Sequence, residues 1–209
     1  MQAYEILKQM IARKLVVVIR GNNVEQAEKT AVACVNGGVD ALEVTFTVPE
    51  ADQLLKNLKK DYPEAVIGAG TVLDSETARV AILAGARFIV SPHFEVSIAK
   101  LCNRYHIPYL PGCMTTKEMV DATEYGVSVI KLFPGQHYDP SFIKNIHGPL
   151  PYLNIMPTGG VNLENVQDWL NAGAVMVGVG GEIIRPANDG DYLQVEQLAR
   201  QFSQKVKGA

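Results

Sequence analysis

One lysine and one glutamate stand inside apolar, β-branched runs of the sequence, where ionisable side chains are uncommon. Lys131 lies near the end of the run Val127–Leu132, just before a Pro-Gly break, and Glu43 is the only carboxylate within such a run, Ala41–Thr45. Desolvation favours the neutral form of an amine, and a neutral amine attacks carbonyl carbon. A neighbouring carboxylate can move the protons that imine formation and carbon–carbon cleavage require. The pair therefore predicts carbonyl chemistry through an imine.

The elements that must position this pair alternate along the chain. Short apolar runs are separated by longer segments of helical period, and residues 1–13 form an amphipathic segment ahead of the first run. We predict eight strands, at Leu15–Ile19, Ala41–Thr45, Ala65–Gly70, Arg87–Ser91, Ile107–Leu110, Val127–Leu132, Tyr152–Pro157 and Ala174–Val179. We predict the intervening and final helices at 24–36, 50–61, 74–84, 94–104, 115–125, 139–146, 162–171 and 191–207.

This alternation of strands and helices predicts an α/β fold, a (β/α)8 TIM barrel with an extra N-terminal helix. We expect one domain over residues 1–209. The alternative is an open doubly wound sheet, which usually carries a glycine-rich turn after its first strand. Here the run Ile19-Arg-Gly-Asn-Asn lacks that pattern. In a barrel, the catalytic groups lie at the carboxyl ends of the strands, and Glu43 and Lys131 can both point inward.

Composition limits the classes of function. The chain has a formal net charge of -3 and no basic run, which argues against nucleic acid as a partner. No apolar run is long enough to cross a bilayer, and residues 1–13 lack the pattern of a signal peptide. We therefore expect a cytoplasmic protein with no membrane partner. Three scattered cysteines without a CxxC pair fit reduced thiols, at Cys34, Cys102 and Cys113.

The histidines give no sign of a metal site. None of the spacings between them matches HxH or HExxH, so we expect neither a metal nor another cofactor. The four histidines are His93, His106, His137 and His147.

Two pairs of glycines follow the seventh and eighth predicted strands. Barrels often bind phosphate there through backbone N–H groups, and glycine lets the backbone approach an anion closely. We therefore predict that Gly159, Gly160, Gly180 and Gly181 bind an anionic part of the substrate; the alternative is that they only form tight turns. Glu182 brings a negative charge to the same rim, where it would repel a phosphate dianion.

Seven motifs follow one another at the predicted strand ends. They are Glu43-Val-Thr-Phe-Thr-Val-Pro49, Gly68-Ala-Gly-Thr71, Phe88-Ile-Val-Ser-Pro-His93, Tyr109-Leu-Pro-Gly112, Lys131-Leu-Phe-Pro-Gly135, Pro157-Thr-Gly-Gly-Val161 and Gly178-Val-Gly-Gly181. This ordered set resembles the motifs of the bacterial 2-keto-3-deoxy-6-phosphogluconate (KDPG) and 4-hydroxy-2-oxoglutarate (KHG) aldolases, from about residue 15 to 185. The resemblance implies a homotrimeric lyase of the Entner-Doudoroff type, which cleaves a 2-keto-4-hydroxy acid to pyruvate and an aldehyde without a metal.

The resemblance also implies roles for single residues. By motif position, Lys131 matches the Schiff-base lysine and Glu43 the carboxylate that transfers protons. Thr71 matches a hydroxyl that binds the carboxylate of pyruvate, and Pro92 and Phe133 match residues that line the pocket.

Two positions depart from the family pattern. Thr47 stands where many members have an arginine that binds the substrate carboxylate. We predict that Thr47 also binds the substrate there, although its hydroxyl can donate only one neutral hydrogen bond. We expect Arg20, at the end of the first strand, to supply the missing charge, the alternative being a surface salt bridge. Glu182 stands where some relatives have a serine that contacts phosphate.

Three functions remain open on the sequence alone. The first is the imine-forming aldolase, acting on the KDPG or KHG type of substrate or on a non-phosphorylated 2-keto-3-deoxy sugar acid. The second is a phosphate-binding barrel isomerase with Glu43 as base and Lys131 as its electrostatic partner. The third is a barrel that binds a sugar acid without catalysis.

Overall fold

The computed structural model describes residues 1–208, in which eight strands alternate with helices along the chain. The strands are β1 (Leu15–Ile19), β2 (Ala41–Thr45), β3 (Val66–Gly70), β4 (Ile89–Ser91), β5 (Tyr109–Cys113), β6 (Ile130–Leu132), β7 (Ile155–Pro157) and β8 (Val177–Val179). The helices are α1 (Gln2–Arg13), α2 (Val24–Asn36), α3 (Ala51–Asp61), α4 (Ser75–Ala84), α5 (Val96–Tyr105), α6 (Thr116–Glu124), α7 (Ser141–His147), α8 (Val166–Asn171), α9 (Gly181–Ile184) and α10 (Tyr192–Lys207). Two short 3-10 helices cover Gly135–His137 and Arg185–Asp189.

The strands form one parallel sheet in the order β7-β6-β5-β4-β3-β2-β1-β8. A parallel bridge between Thr158 and Gly178 joins its two edges, and the Val175 N–H donates to the Ile155 carbonyl oxygen at 3.1 Å. The sheet therefore closes into a barrel. The prediction of an α/β, (β/α)8 fold with an extra N-terminal helix is confirmed, and the open doubly wound alternative is wrong. The assignment of residues 1–209 to one domain stays a prediction.

Side chains along each strand alternate between the barrel interior and the helical layer. In β2, Ala41 packs with the interior core, whereas Leu42 and Val44 pack against the surrounding helices. Glu43 lies between those two outward residues and therefore points inward. The period of two thus places the one carboxylate of this strand inside the barrel.

Helix α1 closes the amino-terminal end of the barrel. Ile6 and Met10 are buried against side chains from the first residues of several strands, among them Val16 and Val66. The Arg13 guanidinium holds this helix in place, because it donates two hydrogen bonds of 2.7 Å to the Asp40 carboxylate ahead of β2. The barrel interior at its amino-terminal end is therefore filled with side chains.

The predicted strand bounds differ from the structure at several places. The last three strands begin at Ile130, Ile155 and Val177, three residues after the predicted starts. The apolar runs begin earlier than the strands because the approaching loops also contain buried apolar residues, namely Val129, Leu153 and Met176. The fifth strand runs on past Leu110 to Cys113.

Candidate active site

Lys131 and Glu43 meet inside the barrel. The Lys131 Nζ lies 3.2 Å from Glu43 Oε1 and 3.4 Å from Oε2. Both residues are almost inaccessible, with 6% of Lys131 and 1% of Glu43 exposed. A buried charge needs a partner, and this contact supplies one for each group. The ammonium and the carboxylate are close enough for a proton to pass directly between them.

Two neighbours shape the space around this pair. Gly70 of β3 leaves room for the Glu43 carboxylate, because a Cβ at that position would overlap with its side chain. On the other side, the Lys131 Nζ lies 5.2 Å from the centroid of the Phe133 ring, within the range of a cation–π contact. A glycine and an aromatic ring thus fix where the two catalytic candidates can lie.

Lys131 opens into a cavity of about 520 Å³ at the carboxyl ends of the strands. Nearly all of the predicted binding residues line this cavity, and Glu43 lies behind the lysine. The predicted residues are Arg20, Thr71, Pro92, Phe133, Gly159, Gly160, Gly180 and Gly181, and they share the cavity with Val18, Thr158, Val161, Asn162, Gly178 and Glu182. Cavities of similar size also lie at the opposite end of the barrel, so volume alone does not identify the site.

Thr71 adopts an uncommon backbone conformation at the cavity wall. Its φ is +57°, in the left-handed region, which is unfavourable for a β-branched residue. Such strain recurs at functional sites. Of the four residues other than glycine with positive φ in the described part of the chain, Thr71 lines this cavity, whereas Lys14, Glu50 and His106 lie at helix ends.

Pro92 is held in the wall by a hydrogen-bond cluster behind it. The Ser91 hydroxyl donates to the His93 carbonyl oxygen and lies 2.6 Å from the Tyr109 hydroxyl, which accepts from the Glu95 N–H at 3.1 Å. Burial raises the pKa of Tyr109, so its hydroxyl stays protonated. The cluster ties the loop after β4 to β5.

Thr158 was not among the predicted site residues. The residue lines the cavity and is 5% exposed, and its buried hydroxyl has no hydrogen-bond partner among the described residues. A Cβ at Gly178 would overlap with it, so glycine on β8 makes the room for this threonine. Its place after β7, at the carboxyl end of a barrel strand, is the sequence signal that could have identified it.

The charges at the rim are Arg20 and Glu182. Arg20 is exposed and, within residues 1–208, makes neither an ion pair nor a hydrogen bond, so the surface salt bridge considered above is not formed. Glu182 faces Arg185 at 4.0 Å, a loose pair. Both Arg20 and Glu182 also line a second cavity of about 680 Å³, and Thr47 belongs to that cavity and not to the one containing Lys131.

The glycine pairs differ in backbone conformation. Gly159 and Gly160 have φ values of +95° and +75°, which only glycine adopts readily. Gly180 immediately precedes the short helix α9, which begins at Gly181. Both pairs present backbone at the cavity, as the anion-binding prediction requires.

The other reactive side chains do not form a second centre in the described residues. No group of three or more potential metal ligands occurs in residues 1–208, and no helix there is long and apolar enough to cross a membrane. Burial raises the pKa of the three thiols to about 12, so they remain protonated near neutral pH. The thiols belong to Cys34, Cys102 and Cys113.

Comparisons with known proteins agree with this geometry. The model of the aldolase family described as KDPG and KHG aldolase matches residues 6–198. The KHG/KDPG aldolase of Escherichia coli strain K12 is 34% identical over 197 residues, which covers 92% of each chain.

Two solved structures share the fold. A KDPG aldolase from Legionella pneumophila, crystallised with pyruvate as a covalent carbinolamine intermediate, is 29% identical with a TM-score of 0.84, over 91% of this chain and 94% of that one. A designed cage of fused symmetric oligomeric domains is 27% identical with a TM-score of 0.86, over 93% of this chain and 72% of that one. The chain therefore belongs to the KDPG and KHG aldolase family and is a lyase, a pyruvate-dependent aldolase of the imine-forming class.

Proposed function

We propose that Lys131 forms the imine with the 2-keto group of the substrate and that Glu43 moves the protons of the reaction. The contact of 3.2 Å between Lys131 Nζ and Glu43 Oε1 at the base of the cavity carries this proposal. Family membership favours it over the isomerase and the sugar-acid binding protein.

The first half of the reaction forms the imine. Glu43 accepts a proton from the Lys131 ammonium, and the free amine attacks C2 of the 2-keto acid to give a carbinolamine. Glu43, now a carboxylic acid, returns the proton to the C2 oxygen, which leaves as water. One carboxylate in contact with the amine is sufficient for both transfers.

The second half breaks the carbon chain. Glu43 takes the proton of the C4 hydroxyl, the C3–C4 bond breaks, and its electron pair moves into the imine, so the aldehyde leaves an enamine on Lys131. Protonation of C3 and addition of water to the imine carbon then release pyruvate and restore the amine. Burial of the pair keeps bulk water away from the enamine.

The polar groups of the cavity wall suit the ends of such a substrate. We assign the C1 carboxylate to Arg20 and Thr71, because Arg20 is the only cation besides Lys131 that lines the cavity in the described residues. We assign a substrate hydroxyl to Thr158, whose buried oxygen has no partner. Pro92 and Phe133 supply apolar walls.

We propose KDPG and KHG as substrates, cleaved to pyruvate with glyceraldehyde 3-phosphate or glyoxylate. The phosphate would be bound by backbone N–H groups near Gly159, Gly160, Gly180 and Gly181. Glu182 opposes a dianion at the same rim, so Glu182→Ser should raise the preference for the phosphorylated substrate. The ratio of kcat/KM for the two substrates measures this preference. If the wild type shows equal kcat/KM for the two substrates and Glu182→Ser does not change that ratio, the glycines form turns only and do not bind phosphate.

The remaining expectations also belong to this proposal. We propose that the enzyme works without a metal or other cofactor, in the cytoplasm, as a homotrimer in an Entner-Doudoroff type of pathway. The cage built from symmetric oligomeric domains supports a symmetric assembly without giving its order.

Borohydride trapping tests the chemistry directly. Incubation with pyruvate and borohydride should add one reduced pyruvyl group to Lys131 irreversibly, and peptide mass spectrometry locates it. The variants Lys131→Met and Lys131→Arg should neither trap pyruvate nor cleave substrate. Methionine has no amine, and the arginine guanidinium stays protonated and cannot form the imine. A wild type that cleaves substrate without being trapped, or near-normal turnover in either variant, would overturn the Schiff-base assignment.

A further inference from the structure

We propose that Thr47 and Thr45 form a hydrogen-bond chain that positions Arg20, and that Thr47 has no proton to offer the substrate. This inference rests on the proposed function, in which Arg20 binds the carboxylate of the 2-keto acid. It assigns Thr47 a positioning role in place of the direct carboxylate contact predicted from the sequence.

The chain follows from three oxygen atoms. Thr45 Oγ1 lies 3.0 Å from the Ile19 carbonyl oxygen and 2.8 Å from Thr47 Oγ1. A hydroxyl has one proton to donate, and a carbonyl oxygen can only accept. Both contacts are hydrogen bonds only if Thr45 donates to Ile19 and Thr47 donates to Thr45. The direction of the chain is therefore Thr47 to Thr45 to Ile19.

This direction uses up the proton of Thr47. Its hydroxyl retains only lone pairs, which repel a carboxylate and cannot bind it. Thr47 also lies in the second cavity, beside Arg20, and outside the cavity that contains Lys131. Both its chemistry and its location remove it from the substrate carboxylate.

The same chain acts on Arg20 through the backbone. The accepting carbonyl belongs to the planar peptide group that joins Ile19 to Arg20. The hydrogen bond from Thr45 therefore fixes the orientation of this peptide group, to which the Arg20 Cα is attached. Thr45 is fully buried, and water does not compete for this bond. Within residues 1–208 the Arg20 side chain has no ion-pair partner. The hydrogen bonds therefore fix the backbone at Arg20, and the guanidinium stays available for the substrate.

The experiment measures KM for pyruvate in the condensation direction, because pyruvate carries the carboxylate and no distal anion. A wild type that neither condenses pyruvate nor is trapped by borohydride contradicts the proposed function itself. With an active wild type, Arg20→Gln should raise KM by about tenfold or more, the usual scale for a hydrogen bond to a charged group. Thr47→Val should raise KM by about twofold at most, because Thr45 still donates to Ile19.

Thr45 provides the decisive comparison. Thr45→Val should raise KM about fivefold with little change in kcat, and Thr45→Ser, which keeps the hydroxyl, should restore KM. In an Arg20→Gln background, Thr45→Val should raise KM no further, because no guanidinium is left to misplace. An equal effect of Thr47→Val and Arg20→Gln would overturn the inference, and so would a Thr45→Val effect that adds fully to Arg20→Gln.

Discussion

The Glu43 carboxylate occupies the space in which a side chain at Gly70 would lie. The two residues belong to neighbouring strands, with Gly70 paired to Thr45, two residues after Glu43. The position of the Glu43 carboxylate thus depends on the absence of a Cβ at Gly70 on the next strand. This dependence can be tested without changing either catalytic candidate.

Gly70→Ala should displace Glu43 from Lys131 and lower kcat about 10²-fold, since a shift of about 1 Å in a catalytic group has effects of that size. Steady-state kinetics measure the loss. Gly208→Ala is a suitable control, because its φ is -90° and its Cβ would lie 3.8 Å from the Lys205 carbonyl oxygen, an ordinary van der Waals distance. A Gly70→Ala enzyme with normal kcat would mean that Glu43 can act from another position.

Glu43→Gln keeps the shape of the side chain and removes its capacity to accept a proton. We expect kcat to fall by about 10²–10⁴-fold, the range for a general acid–base group. Rapid-quench borohydride trapping should show that the imine also forms more slowly. Activity within about threefold of the wild type would assign the proton transfers to water or to another group.

Lys131→Met should destabilise the fold as well as abolish cleavage. It leaves the Glu43 carboxylate buried without its cation, and breaking a buried pair in this way costs about 3–5 kcal/mol. The double variant Lys131→Met, Glu43→Gln should recover much of that loss, because no buried charge remains. Urea unfolding at pH 7 measures the free energies of unfolding. Equal stabilities of the single and double variants would contradict the coupling.

Thr158→Val should raise the stability of the protein and lower its activity. The buried hydroxyl has no partner within the described residues, so its removal should raise the free energy of unfolding of the unliganded enzyme by about 1 kcal/mol. The same change should lower kcat/KM about tenfold, because a substrate hydroxyl loses its partner. Thr158→Ser should keep the activity. A valine variant with unchanged kcat/KM would remove Thr158 from the binding site.

The buried thiols predict a loss of stability at alkaline pH. The pKa of Cys34 is raised from 9.0 to about 12, so the unfolded chain releases this proton at lower pH than the folded one. The contribution of Cys34 is complete below pH 9 and declines as the pH rises from 9 to about 12. Cys34→Ala should reduce the slope of unfolding free energy against pH by up to about 1.4 kcal/mol per pH unit. An unchanged slope would show that Cys34 ionises normally in the folded protein.

The sequence alone indicates the parts of this site that depend on residue type and strand period. Lys131 and Glu43 are conspicuous because charged groups are rare in buried strands, and the period of two predicts their inward direction. Their contact spans 88 positions and arises only when the barrel closes. The place of Thr158 after the seventh strand indicates a residue near the site, but its lack of a hydrogen-bond partner depends on what surrounds it in three dimensions. The role proposed here for Thr47 also depends on three-dimensional structure, since its bond to Thr45 cannot be read from its position along the chain.

Helix α1 has a consequence for the order of events in catalysis. Because Ile6 and Met10 fill the amino-terminal end of the barrel, the cavity beside Lys131 opens at the carboxyl ends of the strands. In the reaction proposed above, the keto-acid half of the substrate is bound covalently to Lys131 at the inner end of this cavity, and the aldehyde half lies toward its opening. The proposal therefore predicts that the aldehyde departs before water reaches the imine carbon, so that pyruvate is the last product to leave.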